Sequence, residues 1–295
     1  MKNKNRRFAV VDFFLILMMV LPLVLGMVLK VLLTPAKDGI NVTGALVYFK
    51  IPMPIQDLPI TESQVNSWLI LISIFGLCLY LTHGLKKKAE TKRQLLAEWI
   101  VEKINALVKD NMGEFFMGFA PFIASIFALS AFSSLMSLLG LYPPTSDLNV
   151  VAGWAILVFI LITHYKLKGG FLYYLKGFTE PVALLAPINV IGELATPISM
   201  SFRHYGNILS GTVIATLVAA GLGGLSSMIL GHLPGFLGEI PFLQIGIPAV
   251  LSVYFDLFSG CLQAFIFAIL TMMYVSGGFP AERYFSRKKK KEQIK

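Results

Sequence analysis

The chain has 295 residues, of which 56% are hydrophobic and only 14% are charged. Soluble domains average about 25% charged residues, so this chain has too little polar surface to stay in water. The formal net charge is +9, but the basic residues lie at the ends of apolar runs and not on a soluble basic module, which excludes nucleic-acid binding.

Six apolar runs are candidates for membrane helices, because a helix needs about 20 mostly apolar residues to cross a hydrocarbon core of about 30 Å. The fourth run is short, and the last two are long enough to be tilted or broken. The pattern predicts an all-α, polytopic membrane helix bundle. The predicted spans run roughly over Phe8–Leu33, Trp68–Leu85, Phe115–Leu141, Val150–His164, Val190–Leu222 and Leu243–Val275.

The first run has two interpretations. A basic start followed by an apolar stretch is also typical of a cleaved signal peptide, whose apolar core is usually about 7–15 residues long. The stretch here is longer and ends in Lys30-Val-Leu-Leu33 without an A-x-A-like cleavage site. A retained helix is therefore favoured over a cleaved one.

The segment Lys86–Asp110 between the second and third runs combines charged residues with apolar residues at helical spacing. It predicts an amphipathic helix on the cytoplasmic membrane face, whose apolar side could equally dock on the bundle. The apolar residues are Leu95, Leu96, Trp99, Ile100, Ile104, Leu107 and Val108.

The loops predict the orientation, since short loops rich in Lys and Arg stay in the cytoplasm. Basic residues are concentrated before the first run, between the second and third runs, after the fourth run and in the tail. The alternate loops hold only Lys37 and Lys50 after the first run, and none around Pro143 or between Gly223 and Phe242. Six spans with both termini in the cytoplasm satisfy every loop.

The fifth run contains Arg203. A charge at the bilayer centre costs at least about 2.5–3.5 kcal/mol, so such a residue usually faces a partner or a water-filled cavity. Because arginine keeps its proton, Arg203 would be a fixed cation that serves as a barrier or counter-ion. The alternative is that it snorkels or pairs with a lipid phosphate. Asn207 lies one helical turn on, and the small Gly206, Ser210 and Gly211 would let another helix approach.

Further polar residues of this run are candidates for an aqueous path. Glu193 lies ten residues before Arg203 on roughly the same face, and either opens such a path or marks the membrane interface. Ser199 and Thr212 could line a path, although hydroxyls in membrane helices more often bond to their own backbone. His204 is expected to be packed or interfacial.

The sixth run presents a second polar face. Asp256 and Gln263 are seven residues apart and hence on one side of a helix. An aspartate can exchange a proton, whereas a glutamine offers a fixed donor and acceptor. The alternative for each is an interhelical hydrogen bond without a transport role.

Several patterns are absent from the sequence. It has no phosphate-binding loop, no H-E-x-x-H or G-x-S-x-G motif and no metal-ligand spacing, so no catalytic site, metal or cofactor is predicted. This argues against a membrane-embedded enzyme. A secondary transporter or ion channel that binds an anion at Arg203 would usually show a repeated half, and no repeat is found.

Three stretches resemble subunit a of the F-type ATP synthase membrane sector. The arginine motif is similar over Ser201–Gly211 and the late glutamine motif over Leu262–Phe267, while Pro187–Glu193 looks like the approach to the arginine helix. The resemblance covers roughly Thr61–Ser276.

The resemblance implies a bacterial plasma-membrane stator beside a rotating ring of carboxylate-bearing c subunits, together with peripheral-stalk b subunits and the remaining ATP synthase. Two half-channels would reach the ring from opposite faces, and Arg203 would separate them. By the same resemblance, Asn207 and Gln263 would be neighbours of Arg203 that position its contact with the ring carboxylate. Glu193 would belong to the half-channel on the cytoplasmic side.

The sequence also departs from the family pattern. Thr212 stands where many relatives have an acidic residue or histidine, so Asp256 is predicted to be the main protonatable group of the outer half-channel. The first run looks like an addition to a five-helix core. Three regions are expected. Residues 1–60 contain the extra helix and an external loop, residues 61–280 form the ion-translocating domain, and residues 281–295 form a basic tail. Whether H⁺ or Na⁺ is carried is left open, because ion choice would lie mainly in the ring.

Overall fold

The computed structural model describes residues 2–33, 44–54, 56–87, 91–230 and 243–293. Lys37 and most of the predicted loop between Gly223 and Phe242 therefore lie outside the described residues. The described α-helices are α1 (Lys2–Leu33), α2 (Glu62–Thr82), α3 (Lys92–Met112), α4 (Ala120–Leu135), α5 (Leu148–Leu167), α6 (Phe171–Phe178), α7 (Ala186–Leu230), α8 (Leu243–Ser252), α9 (Gly260–Gly277) and α10 (Ala281–Gln293).

Six helical segments in these described ranges are long and apolar enough to cross a membrane. Each overlaps one of the six predicted runs, so the all-α polytopic class is confirmed. A small antiparallel hairpin of β1 (Val47–Ile51) and β2 (Leu58–Thr61), between α1 and α2, was not predicted. The six segments are Val10–Leu33, Glu62–Thr82, Glu114–Leu139, Leu148–Leu167, Ala183–Ile229 and Gly246–Gly277.

Helix α1 packs along α2. Its backbone at Met18 and Met19 approaches Gly76 so closely that a Cβ on this glycine would lie 3.1 Å from the Met19 nitrogen. Ion pairs join α1 to neighbouring segments at two places, Asp12 and Lys30. Arg93 Nη1 lies 2.8 Å from Asp12 Oδ1, and Lys30 Nζ lies 3.6 Å from Glu62 Oε1.

The predicted amphipathic helix is α3, and its apolar residues divide into two groups. Val108 is fully buried, and Ile104 and Leu107 pack partly buried against the same core. The preceding apolar residues Leu95, Leu96, Trp99 and Ile100 are exposed. Docking therefore involves only the later part of the helix, and the earlier part leaves its apolar surface uncovered.

The last two predicted spans are long, as expected. Helix α7 has 45 residues and would be about 68 Å long at 1.5 Å per residue, about twice the thickness of a hydrocarbon core. A helix of this length is long enough to be tilted or broken, and it contains Pro197. The sixth span consists of α8, a π-helix (Val253–Ser259) and α9.

The chain divides into two compact units. The first comprises Met1–Glu98, Ala128–Asp147 and Tyr205–Ala264, and the second comprises Trp99–Phe127, Leu148–His204 and Phe265–Lys295. In the first, Ile70, Met136 and Leu141 form a buried cluster. The second has a larger core that includes Ile123, Val158, Phe267 and Met272.

Candidate functional site

Arg203 lies in the second unit, on the first part of α7, and its side chain is exposed. It borders a stripe of exposed apolar residues, Ile191, Leu194, Ile198 and Phe202, which are 53–66% exposed. The guanidinium has no hydrogen bond or ion pair with any of the described residues. A permanent cation thus stands in an uncovered apolar surface, where burial in lipid would be costly without an anionic partner.

His204 has the opposite environment. Its ring is fully buried and packs edge to face between Trp154, at 6.1 Å, and Phe267, at 5.5 Å between ring centroids. This agrees with the expected packed histidine. Because successive residues of an α-helix point about 100° apart, the packing of His204 fixes the rotation of α7 that turns Arg203 outward.

Glu193 is held by two donors. Its Oε1 lies 3.0 Å from Lys166 Nζ and accepts a hydrogen bond from the Tyr174 hydroxyl at 3.1 Å. Burial and the neighbouring Glu193 raise the pKa of Tyr174 to about 12, so this hydroxyl keeps its proton and donates. Glu193 also lines two cavities of about 250 and 640 Å³, which makes it accessible to water.

The two hydroxyl candidates both lie on exposed positions of α7. The Thr212 hydroxyl donates to the backbone oxygen of Ile208 at 3.0 Å, the local bond expected for a threonine in a membrane helix. Ser199 is exposed one turn before Arg203.

In the first unit, Asn207 is bonded reciprocally to Ser259. The Ser259 hydroxyl donates to Asn207 Oδ1 at 3.0 Å, and Asn207 Nδ2 donates to the Ser259 backbone oxygen at 3.4 Å. Beside this contact, a Cβ added to Gly211 would lie 3.0 Å from the Phe255 side chain. Close approach at Gly211 matches the expectation for small residues, whereas a Cβ on Gly206 would meet nothing within 4 Å.

Asp256 lies within the π-helix, a feature often found at functional sites. Its side chain is half-buried. Gln263, on α9, is buried with 6% exposure. The wider turn of the π-helix interrupts the even spacing on which the sequence placed Asp256 and Gln263 on one side.

Comparison with known proteins then identifies the family. The family model described as the ATP synthase A chain matches residues 64–276. The chain belongs to the ATP synthase A chain family. The match agrees with the resemblance expected over Thr61–Ser276.

Individual relatives within the ATP synthase A chain family are moderately similar. ATP synthase subunit a of Legionella pneumophila strain Philadelphia 1 is 28% identical over 246 residues, covering 83% of this chain and 96% of the relative. The subunit a of Acidothermus cellulolyticus is 31% identical over 214 residues, covering 69% and 71%. A sodium ion specific subunit a of Propionigenium modestum is 27% identical over 275 residues, covering 82% and 88%. The chain is thus a multi-pass member of a family of ATP synthase membrane subunits.

The sequence of this ATP synthase A chain member does not reveal which residues bind the candidate residues. Lys166 counts in the sequence only as one of the basic residues after the fourth run, and Tyr174 has no distinguishing pattern, because nothing in the sequence pairs either residue with Glu193. The described part of the chain contains no cluster of three or more His, Cys, Asp or Glu residues that could hold a metal ion.

Proposed function

We propose that this chain is the stator subunit of an ATP synthase membrane sector and conducts ions to and from a rotating ring of c subunits. The observation that carries the proposal is the exposure of Arg203 beside a bare apolar stripe. An unpaired cation in that setting calls for an anion from another subunit, and a ring that presents one carboxylate per subunit would supply it repeatedly.

In this mechanism Arg203 attracts each deprotonated ring carboxylate and keeps the two half-channels separate. Moving one elementary charge through 100 mV yields about 2.3 kcal/mol, so several ions are needed for each ATP and leakage must be small. A fixed positive charge repels protons that would cross directly from one half-channel to the other. Arginine suits this role because it cannot release its own proton.

The remaining candidates fall on two paths. Glu193 would serve the cytoplasmic path, because its larger cavity is lined by Lys166 and by Glu180, which pairs with Lys176, and basic loops stay inside. Asp256 would be the main protonatable group of the outer path. Asn207 and Gln263 would position the ring contact, and Ser199 and Thr212 would line the paths.

The assembly follows from the same proposal. Both termini lie in the cytoplasm of a bacterium, and the chain contacts the c ring, the b subunits of the peripheral stalk and lipid in the plasma membrane. The additional helix and its external loop occupy residues 1–60, the ion-translocating domain occupies residues 61–280, and the basic tail occupies residues 281–295.

The test is Arg203→Ala in the complete ATP synthase reconstituted into vesicles, with Ile198→Ala on the same exposed stripe as the control. ATP-driven proton pumping should be abolished by Arg203→Ala and retained by Ile198→Ala. Retention of coupled transport in Arg203→Ala would refute the proposal. Anion transport by the purified chain alone would instead favour the transporter interpretation.

A further inference from the structure

Two cavities of the second unit share part of their lining. The larger, of about 640 Å³, also contacts Asn189 and Gly192, and we call it the mouth cavity. The smaller, of about 250 Å³, also contacts Phe159 and Ile162, and we call it the inner cavity. The residues common to both linings are Lys166, Glu193, Thr196, Gly277 and Gly278.

The ion pair of Lys166 and Glu193 lies in this shared lining. We call this ion pair the throat. Both the ammonium of Lys166 and the hydroxyl of Tyr174 bind the same oxygen, Glu193 Oε1, at 3.0 and 3.1 Å. An ion pair and a hydrogen bond on the same oxygen restrain the orientation of the Glu193 side chain.

Gly278 makes room for the lysine. A Cβ added at Gly278 would lie 3.1 Å from Lys166 Cγ and 3.3 Å from Lys166 Cε. Such distances are tighter than ordinary van der Waals contact, so a larger residue would displace the lysine stem. The backbone after α9 is therefore shaped to let Lys166 reach Glu193.

We propose that Lys166 is a positioning residue that closes the passage between the mouth and inner cavities by holding Glu193 across the throat. This inference rests on the proposed function and places a constriction in its cytoplasmic path. Besides Lys166 and Glu193, the titratable groups that line the two cavities are Tyr173, Tyr174, Glu180 and Tyr274.

The throat can be tested by thiol accessibility in everted vesicles that contain the complete ATP synthase. Cys78→Ala and Cys261→Ala remove the native thiols. Phe159→Cys then reports on the inner cavity, and Gly192→Cys, where a Cβ meets nothing within 4 Å, reports on the mouth cavity. Both are labelled with membrane-impermeant methanethiosulfonates, one cationic and one anionic.

With Lys166 present, labelling of Phe159→Cys should be much slower than that of Gly192→Cys. Lys166→Ala should accelerate the labelling of Phe159→Cys by about tenfold, the change that 1.4 kcal/mol produces, and leave Gly192→Cys unchanged. Lys166→Arg should preserve slow labelling because it keeps the charge. Acceleration with both reagents distinguishes an opened throat from an altered local potential.

Equal labelling of the two cysteines with Lys166 in place, or no acceleration by Lys166→Ala, would overturn the inference. Acceleration with the cationic reagent alone would also overturn it, because that result reflects only the lost charge. These readouts do not depend on Arg203 or on the ring. If Arg203→Ala retains coupled pumping, the proposed function fails even where the labelling pattern upholds the throat.

Discussion

The reciprocal bond between Asn207 and Ser259 leads to a quantitative prediction. Ser259→Ala removes only the 3.0 Å bond from the serine hydroxyl, whereas Asn207→Ala removes that bond and also the 3.4 Å bond to the backbone oxygen. Side-chain hydrogen bonds within membrane proteins average about 0.6 kcal/mol and reach about 1.7 kcal/mol. We expect Ser259→Ala to cost about 0.6 kcal/mol and Asn207→Ala about 1 kcal/mol, since its second bond is long.

The two changes should not add, because both remove the same hydroxyl contact. The double variant is expected to match Asn207→Ala alone within about 0.3–0.5 kcal/mol, the usual scatter between independent sites. The free energy of unfolding would be measured by SDS titration of the purified chain in mixed micelles, followed by fluorescence of its three tryptophans. If the double variant lost the sum of both single costs, the two side chains would be energetically independent and our account of this contact would be wrong.

Three other predictions use different readouts. Gly211→Ala should lower the free energy of unfolding by about 1–3 kcal/mol, the usual cost of overpacking, because its Cβ would press on Phe255. Gly206→Ala serves as the control, because a Cβ there meets open space. Equal effects of the two substitutions would contradict this prediction. Burial raises the pKa of Tyr142 to about 12 from 10.0. The contribution of Tyr142 to the free energy of unfolding should therefore be complete below pH 10 and lost as the pH rises toward 12. Unfolding curves of Tyr142→Phe, measured over the same pH range, should lack this loss. Asp256→Asn should abolish ATP-driven proton pumping in reconstituted vesicles, and pumping at the normal rate would show that Asp256 is not the main protonatable group.

The membrane spans could be predicted because lipid imposes a minimum apolar length on every crossing helix. The start of α2 was placed at Trp68, six residues after its first residue, Glu62. Counting apolar residues misses the first turns because Ser63 and Asn66 are polar although buried. The signal was present as Thr61 and Gln64, the spacing of a capping box, and the Thr61 N–H does donate to Gln64 Oε1 at 3.3 Å.

The candidate site was predicted less completely, for a physical reason. Arg203 could be recognised because a charge in an apolar run is conspicuous at any position. The link between Glu193 and Lys166 could not, because it depends on how two helices pack and not on sequence spacing. The π-helix around Asp256 was also missed, since its wider turn has no distinct composition and the seven-residue spacing to Gln263 was judged on an ordinary α-helix.

The close packing of α1 against α2 affects which subunits from other complexes could assemble with this chain. The backbone of α1 packs closely against Gly76 of α2, and ion pairs at Asp12 and Lys30 hold α1 in place. A neighbour approaching this flank therefore meets α1 first. A foreign subunit whose contact surface was shaped for a bare α2 would find its docking area occupied. Compatibility in chimeric complexes should therefore depend on the exposed side chains of α1, such as Phe13 and Phe14.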